Sequence, residues 1–444
     1  MSGPSADQLA IQIIQILRGH GHQAFLVGGC VRDRLLGLTP KDYDVSTDAT
    51  PDQLCRYFPR AQTVGAHFGV VLVNDGKGQH VEVATFRSEG AYTDGRRPDQ
   101  VQFETDPALD AQRRDFTVNG LMEDPLSGKV LDYVGGESDL RNGILRAIGD
   151  PLRRFEEDHL RMLRAVRFAA RLRFAIHPDT LQAIRKLASR ITDISAERIR
   201  EELVRILTEG EARNGLELLD ETGLLQHVLP EVKAFQGVAQ PPEFHPEGDV
   251  WTHILLMLES LEHPSPTLAF GVLLHDVGKP PTFRIADRIR FDRHAEVGTS
   301  MAREILTRLK FPNQQTEQIA SLVANHMKFK DVRQMRTSTL KRFLRLPDFQ
   351  EHLELHRLDC LASNGRTDSY NYVREKQEEF RHEELRPERL LTGNDLISAG
   401  YSPGPLFSQV LEQVETAQLE GEICTREEAL KLARRILEGS AGTN

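Results

Sequence analysis

Residues 25–47, FLVGGCVRDRLLGLTPKDYDVST, decide how this 444-residue chain is read. A short apolar run, Phe25 to Val27, turns at Gly28-Gly29 and predicts a helix from about Cys30 to Leu36. Paired glycines let backbone N–H groups approach a ligand, and the helix start behind them adds a positive dipole end. Gly28 and Gly29 are therefore candidates for holding a phosphate. Arg32, one turn into the helix, would add a charge-assisted contact to the same anion. Asp42-Tyr43-Asp44 follows. On a strand, positions i and i+2 share a face, so the spacing predicts that the Asp42 and Asp44 carboxylates converge while Tyr43 faces away. Two such carboxylates repel unless a cation lies between them, and oxygen-only ligands suit Mg²⁺ shared with substrate phosphates. Such a site activates an attacking hydroxyl and screens a leaving pyrophosphate. Glu82, in the alternating HVEVATF of residues 80–86, is a third candidate carboxylate from a neighbouring strand.

Outward from this stretch, the first 140 or so residues alternate Val-rich runs with turns: FGVVLVND (68–75), HVEVATFR (80–87), VQFET (101–105) and VLDYV (130–134). These read as strands, with a further helix across Pro51 to Phe58. After Asp150 apolar residues recur at helical spacing, and strand signals vanish. The expected class is α+β, a small mixed-sheet head followed by all-α regions. The division is 1–150 for the head, 151–240 for a helical neck, 241–375 for a His-rich helical block and 376–444 for a helical tail. QPPEFHPEG (240–248) reads as a linker, and GYSPGPLF (400–407) as a turn before acidic amphipathic helices.

A hydrophobic fraction of 39% and a charged fraction of 27% exclude a disordered or collagen-like chain. No run approaches the roughly 18 apolar residues of a membrane span. The start MSGPSADQLAIQ lacks a basic segment followed by an apolar core, so a soluble, cytoplasmic protein without a membrane partner is expected. Cys30, Cys55, Cys360 and Cys424 lie far apart, which argues against a disulfide framework or a cysteine zinc site. The net charge of −10 counts against a nucleic-acid partner, yet it is unevenly spread. Residues 160–200 hold ten basic side chains against three acidic ones, a strip suited to neutralising phosphates.

At this point the residues match a family. LVGGCVRDRLLGLTPKDYDVST resembles the first motif of the class II tRNA nucleotidyltransferases and bacterial poly(A) polymerases, and RRDFTVNGL (113–121) resembles their second. The likeness continues through GGESDLRNGILRAIGDPLRRFEEDHLRMLRAVRFAARL. It implies a polymerase β-like head, with Asp42 and Asp44 on Mg²⁺, Gly29 and Arg32 on the nucleotide phosphates, and Arg114, Asp115 and nearby Asn119 on the ribose and phosphates. Gly120 departs from the family, which more often has Ala there, and a small backbone effect is expected. Glu157, Asp158 and Arg161 form an E-D-x-x-R pattern on what reads as one helix, with positions 158 and 161 on one face. An Asp accepts from an exocyclic amine and an Arg donates to a ring nitrogen or carbonyl, so the pair can address the pairing edge of cytosine or adenine. In the family such a pair selects CTP or ATP. Arg164 and Arg167 continue the row and would point at the triphosphate. SEGAYTDGRRPDQVQF (88–103) is polar and aperiodic and resembles the flexible loop of CCA-adding enzymes, including an Asp94-x-x-Arg97 pair.

The third block holds His253, His275-Asp276, His294, His326 and Asp359, each in a helical context. Six imidazole and carboxylate ligands suit a pair of metals that activates a bridging water, either a divalent transition metal or Mg²⁺. The set resembles an HD-type phosphohydrolase domain. The resemblance as a whole implies addition of C, C and A to the 3′ end and acceptor arm of tRNA from CTP and ATP, with pyrophosphate released. An A-adding enzyme, a poly(A) polymerase, an HD phosphohydrolase with a vestigial head and a non-catalytic RNA-binding protein stay open as alternatives.

Overall fold

The computed structural model describes residues 5–65, 69–90, 100–380, 385 and 387–441. The chain divides into two compact units: residues 1–234 with 261–263 and 308–311, and residues 235–260, 264–307 and 312–444.

The first unit opens on a helix, Ala6–Gly19, that the strand-dominated reading of the head does not anticipate. Ser5 and Gln8 close a capping box, and Leu9, Ile13, Ile14 and Leu17 recur at helical spacing to form its buried face. Behind it run β1 (Ala24–Val27), β2 (Asp44–Thr47), β3 (Ala61–Gly65), β4 (Val70–Asn74), β5 (His80–Thr85), β6 (Arg87–Glu89), β7 (Val101–Phe103), β8 (Met122–Asp124) and β9 (Lys129–Leu131). Seven of them form one sheet in the order β3-β4-β5-β2-β1-β8-β9. Only β2 and β5 pair in parallel, so the sheet is mixed, in agreement with the expected class. Alternation sets the faces. In β5, Val81, Val83 and Thr85 are buried while His80 and Glu82 are exposed.

Two registers place the site. Val27 lies opposite Asp44, so the chain leaving β1 delivers Gly28 beside that carboxylate, and Asp44 lies opposite Glu82 on the other flank. Asp42 precedes β2 in a bend, so the D-x-D straddles the strand's start instead of lying within it. The segment 88–103 is also more ordered at its ends than its polarity suggests. β6 and β7 pair antiparallel, and the Gly90 N–H donates to the Gln100 carbonyl at 3.0 Å. Asp94 and Arg97 lie outside the described residues.

Helices follow, including Pro151–Glu157, Leu160–Leu172, Pro178–Leu187 and Ala196–Thr208. Strand pairing does not stop at residue 150, because Ile144–Leu145 pairs in parallel with Ala175–Ile176. The second unit is built on helices Val250–Glu259, Pro266–Leu274, His294–Arg308, Asn313–Asn325 and Phe349–Ala362. It also carries a hairpin, Phe283–Ile285 with Ile289–Phe291, which the sequence reading misses. Helices Leu406–Glu420 and Arg426–Ala441 close the chain after the expected turn. No helix among the described residues is long and apolar enough to cross a membrane.

Candidate functional site

A cleft of about 710 Å³ opens over the carboxylate end of β2. Eleven of its lining side chains are Arg or Lys and six are carboxylates, so an anion entering it meets net positive charge. Gly28, Gly29, Arg32, Asp42, Asp44, Arg114, Asp115, Asn119, Asp158, Arg161, Arg164 and Arg167 all line it. Glu82 is not among its lining residues but stands beside Asp44 in the sheet.

Gly28 takes φ 73°, a left-handed conformation that side chains disfavour, and a Cβ there would lie 3.0 Å from Arg114 Nη1. The backbone conformation calls for glycine at this turn, and a Cβ would in addition crowd the Arg114 guanidinium. Asp44 carries the electrostatic signature of the site. Burial and the facing Glu82 and Asp42 carboxylates push it up to about 6, with Arg114 opposing. Crowded carboxylates of this kind fit a divalent cation.

The second motif lies across the cleft. Asp115 accepts from Arg164 Nε and Nη2 at 2.9 and 2.6 Å, from Asn119 Nδ2 at 3.1 Å and from the Phe116 N–H at 2.8 Å. Burial would raise its pKa, but Arg164 and these donors outweigh it and hold the carboxyl at about 2. Arg32 is 2% exposed, and its guanidinium already donates to Asp33 and to Asn119 Oδ1, the latter at 2.6 Å. The sequence reading offers Arg32 directly to an anion; the fold places it in a buried network that also orients Asn119. Arg114 donates to Ser46 and Asp110, while its Nε is buried without a hydrogen-bond partner among the described residues. Gly120 has an ordinary φ of −89°, so its departure is a matter of packing and not of backbone. A Cβ there would lie 2.7 Å from Val134 Cγ2 and 3.2 Å from Ile148 Cδ1, side chains that fill the space an alanine would take.

The expected single helix bearing Asp158 and Arg161 is broken. Helix Pro151–Glu157 ends at Asp158, whose φ −147° and ψ 106° are extended, and helix Leu160–Leu172 starts beyond it. The cause is local, because the Asp158 side chain accepts from the Leu160 N–H at 3.0 Å and competes with helix continuation. Its other oxygen accepts from Arg198 Nη2 at 2.8 Å. Arg161 Nη1 donates to Glu157 at 2.5 Å and to the Arg154 carbonyl at 2.9 Å. Both residues still face the cleft, set there by a break and not by helical periodicity. Arg167 pairs with buried Glu202 at 3.2 Å and lies 4.5 Å above the Phe168 ring. Burial pulls Arg167 down to about 10.

In the second unit the six His and Asp ligands fall into two adjoining groups, His253 with His275 and Asp359, and Asp276 with His294 and His326. His275, His294 and His326 each place Nδ1 2.7–2.9 Å from the carbonyl oxygen three residues back, on Val272, Phe291 and Val323. A carbonyl only accepts, so each Nδ1 carries the proton and each Nε2 is left with a lone pair. The Nε2 atoms of His294 and His326 then face one another at 3.2 Å, a contact that a shared cation would make favourable. Burial, reinforced by the neighbouring His275, drives His326 down to about 3. Burial also opposes charge on His253, yet Asp359 and Glu247 outweigh it and raise it to about 9. Gly278 permits the close packing. A Cβ there would run into the His294 carbonyl and lie 2.7 Å from the Gly298 nitrogen.

His245 and Glu247, from the stretch read as a linker, form a third ligand-capable group with His253. Composition hid them, since Pro and Gly report a loop and not where the loop packs.

Three family descriptions match the chain: the poly A polymerase head domain over residues 24–146, the probable RNA and SrmB-binding site of polymerase A over 173–236, and the HD domain over 249–356. A CCA-adding enzyme of Levilactobacillus brevis is 44% identical over 226 residues, 50% of this chain and 56% of the relative. One of Bacillus subtilis is 42% identical over 219 residues, covering 49% and 55%. The chain thus spans little more than half the length of the curated relatives it matches. Among solved structures, a CCA-adding enzyme of Bacillus stearothermophilus in complex with CTP superposes with a TM-score of 0.76 at 27% identity, over 99% of this chain and 100% of that one. The Thermotoga maritima CCA-adding enzyme complexed with tRNA shares the fold at 18% identity, with a TM-score of 0.57 over 97% and 94%.

Proposed function

We propose that this chain, which matches the poly A polymerase head domain over residues 24–146, is a nucleotidyltransferase built on that head and adds C, C and A to the tRNA 3′ end from CTP and ATP, without a nucleic-acid template. The observation that carries the reading is the pair of carboxylates Asp42 and Asp44, with Glu82 opposite Asp44 in the sheet, in a cleft whose lining carries more cations than carboxylates. Mg²⁺ fits these oxygen donors, with Asp42 and Asp44 as its ligands and Glu82 beside them; when bound it supplies charge neutralisation at the reacting phosphate. The tRNA 3′-hydroxyl attacks the α-phosphate of CTP or ATP, and pyrophosphate leaves.

The chain's own residues do the rest. Gly28 and Gly29 bring bare backbone to the phosphates, and Arg114 and Arg164 supply positive charge along them. Asp115 and Asn119 face the ribose, where a carboxylate can accept from a 2′-hydroxyl. Asp158 reads the base with Arg161. Each Asp158 oxygen spends one lone pair, on Leu160 or Arg198, and keeps one for an exocyclic amine. The segment 88–103, with Asp94 and Arg97, favours addition of the terminal A. The four-part division at 150, 240 and 375 is the functional organisation, and the protein acts in the cytoplasm.

The experiment incubates the protein with tRNA transcripts ending before CCA or in CC, each labelled nucleotide and Mg²⁺, and reads product sequence. Stepwise C, C, A supports the proposal. A-only extension of the CC transcript identifies an A-adding enzyme, and long A tracts on generic RNA identify a poly(A) polymerase. The lone-pair contact between His294 and His326 favours a second activity, hydrolysis of a phosphoester such as a 2′,3′-cyclic phosphate at an RNA end, in a two-metal HD centre. Opening of the cyclic phosphate to a terminal 2′- or 3′-monophosphate with a free neighbouring hydroxyl, lost in H275A/D276A, tests it.

A further inference from the structure

We propose that Glu247 is a positioning residue of the HD centre, locking His253 with its Nε2 toward the metal, and that His245 on the same carboxylate braces Glu247 in that place. The inference rests on the reading of residues 249–356 as a metal-binding HD centre.

The argument starts from where each imidazole sits on its helix. His275, His294 and His326 stand at helix ends, where the carbonyl three residues back is available to take the Nδ1 proton. His253 stands in the first turn of helix Val250–Glu259, so the carbonyl three residues back, on Val250, is committed to the helix's own ladder. Its proton needs an acceptor from elsewhere. Glu247 provides it, with Oε1 2.8 Å from His253 Nδ1. Among these four imidazoles His253 alone has a carboxylate at Nδ1, and such a partner raises the basicity of the metal-facing nitrogen. His253 Nε2 lies 3.3 Å from Asp359 Oδ1, inside the ligand group with His275.

The same Oε1 accepts from His245 Nδ1 at 2.8 Å, and the two rings meet edge to face with centroids 5.1 Å apart. One carboxylate oxygen thus serves two imidazoles: His245 braces it, and His253 commits its Nδ1 proton to it and keeps Nε2 for the metal. The Glu247 side chain is 5% exposed, and its Oε2 is buried without a hydrogen-bond partner among the described residues. An uncompensated oxygen of this kind is unexpected in a carboxylate kept only for packing.

The test is a cobalt(II) titration of the full chain, followed by affinity and by the visible ligand-field spectrum. The H275A/D276A chain is the blank for cobalt bound elsewhere, and thermal unfolding of the metal-free proteins is the folding control. E247Q keeps the shape and one acceptor oxygen but loses the charge. It is expected to weaken cobalt binding about 10- to 100-fold and shift the spectrum, with nucleotide incorporation unchanged. H245A removes the brace on Glu247 and is expected to weaken cobalt binding in the same direction, by less than E247Q. If the parent binds cobalt above the blank while E247Q and H245A match it in affinity and spectrum, the inference is overturned and the HD reading stands. If the parent binds no more than the blank, the HD reading fails and the inference falls with it.

Discussion

Replacing Asp44 with Asn probes the electrostatics of the carboxylate cluster and its chemistry in one variant. Burial and the facing Glu82 and Asp42 charges hold the Asp44 carboxyl at about 6, against an ordinary 3.8. That is about two pH units at about 1.4 kcal/mol each, so ionising Asp44 in the metal-free fold costs about 3 kcal/mol at neutral pH. The folded-state pKa lies above the unfolded one. The cost is therefore complete above pH 6 and fades as pH falls from 6 through 3.8, below which both states are protonated. An amide has the same shape without the charge. D44N should outlast the parent in EDTA at pH 7.5 by about 2–3 kcal/mol, or roughly 5–10 °C for a unit of this size. The gap should narrow to about 0.5 kcal/mol at pH 4. Thermal unfolding of both full-length proteins across this pH range reads the effect. Mg²⁺ should raise the parent's transition and leave the variant's unmoved. A variant no more stable than the parent at pH 7.5, or a gap unchanged at pH 4, would refute the argument.

Further outcomes follow from the same geometry. D115N removes the carboxylate that holds Arg164 and should cost about 3 kcal/mol or more; the parent's own contribution from Asp115 is present above pH 3.8 and is lost as pH falls through about 2, which an acid titration of stability would detect. G278A forces a methyl toward the Gly298 nitrogen and the His294 carbonyl, so it should destabilise the second unit by about 1–3 kcal/mol and lower its metal content while nucleotide incorporation persists; unchanged metal content by elemental analysis would contradict the packing argument. The basic strip predicts salt-sensitive tRNA binding, and replacing exposed Lys186 with Ala should reduce the slope of log affinity against log salt by about 1 if it meets a phosphate. An unchanged slope would place the RNA elsewhere.

Much of the head is legible in residues 25–47, because strand alternation and a glycine turn are local devices. The flanking of Asp44 by Glu82 needed register as well, and the parallel β2–β5 pairing supplies it. What stayed hidden depended on competition or on distance. Asp158 carries helical spacing, yet its side chain captures the Leu160 N–H and breaks the helix where periodicity predicts continuation. Arg32 is a cation at the right place in the motif, and only the fold shows that Asp33 and Asn119 already hold it. Helix Ala6–Gly19 did carry a signal, the Ser5–Gln8 capping box before Leu9, Ile13 and Ile14, which the strand-rich pattern beyond it overshadowed. Residues 240–248 look like a connector by composition. They bring Glu247 to His253 because a first-turn imidazole has no free carbonyl behind it, a requirement visible only once the helix boundary is known.

The central claim is that Asp42 and Asp44 support nucleotide transfer to a tRNA end. The most direct measurement extends a tRNA transcript lacking CCA with CTP, ATP and Mg²⁺, comparing the parent with D42A after both are shown to fold and to bind the transcript. The account predicts C, C and A on the parent's product and no added nucleotide with D42A. Extension by D42A at the parent's rate would contradict it.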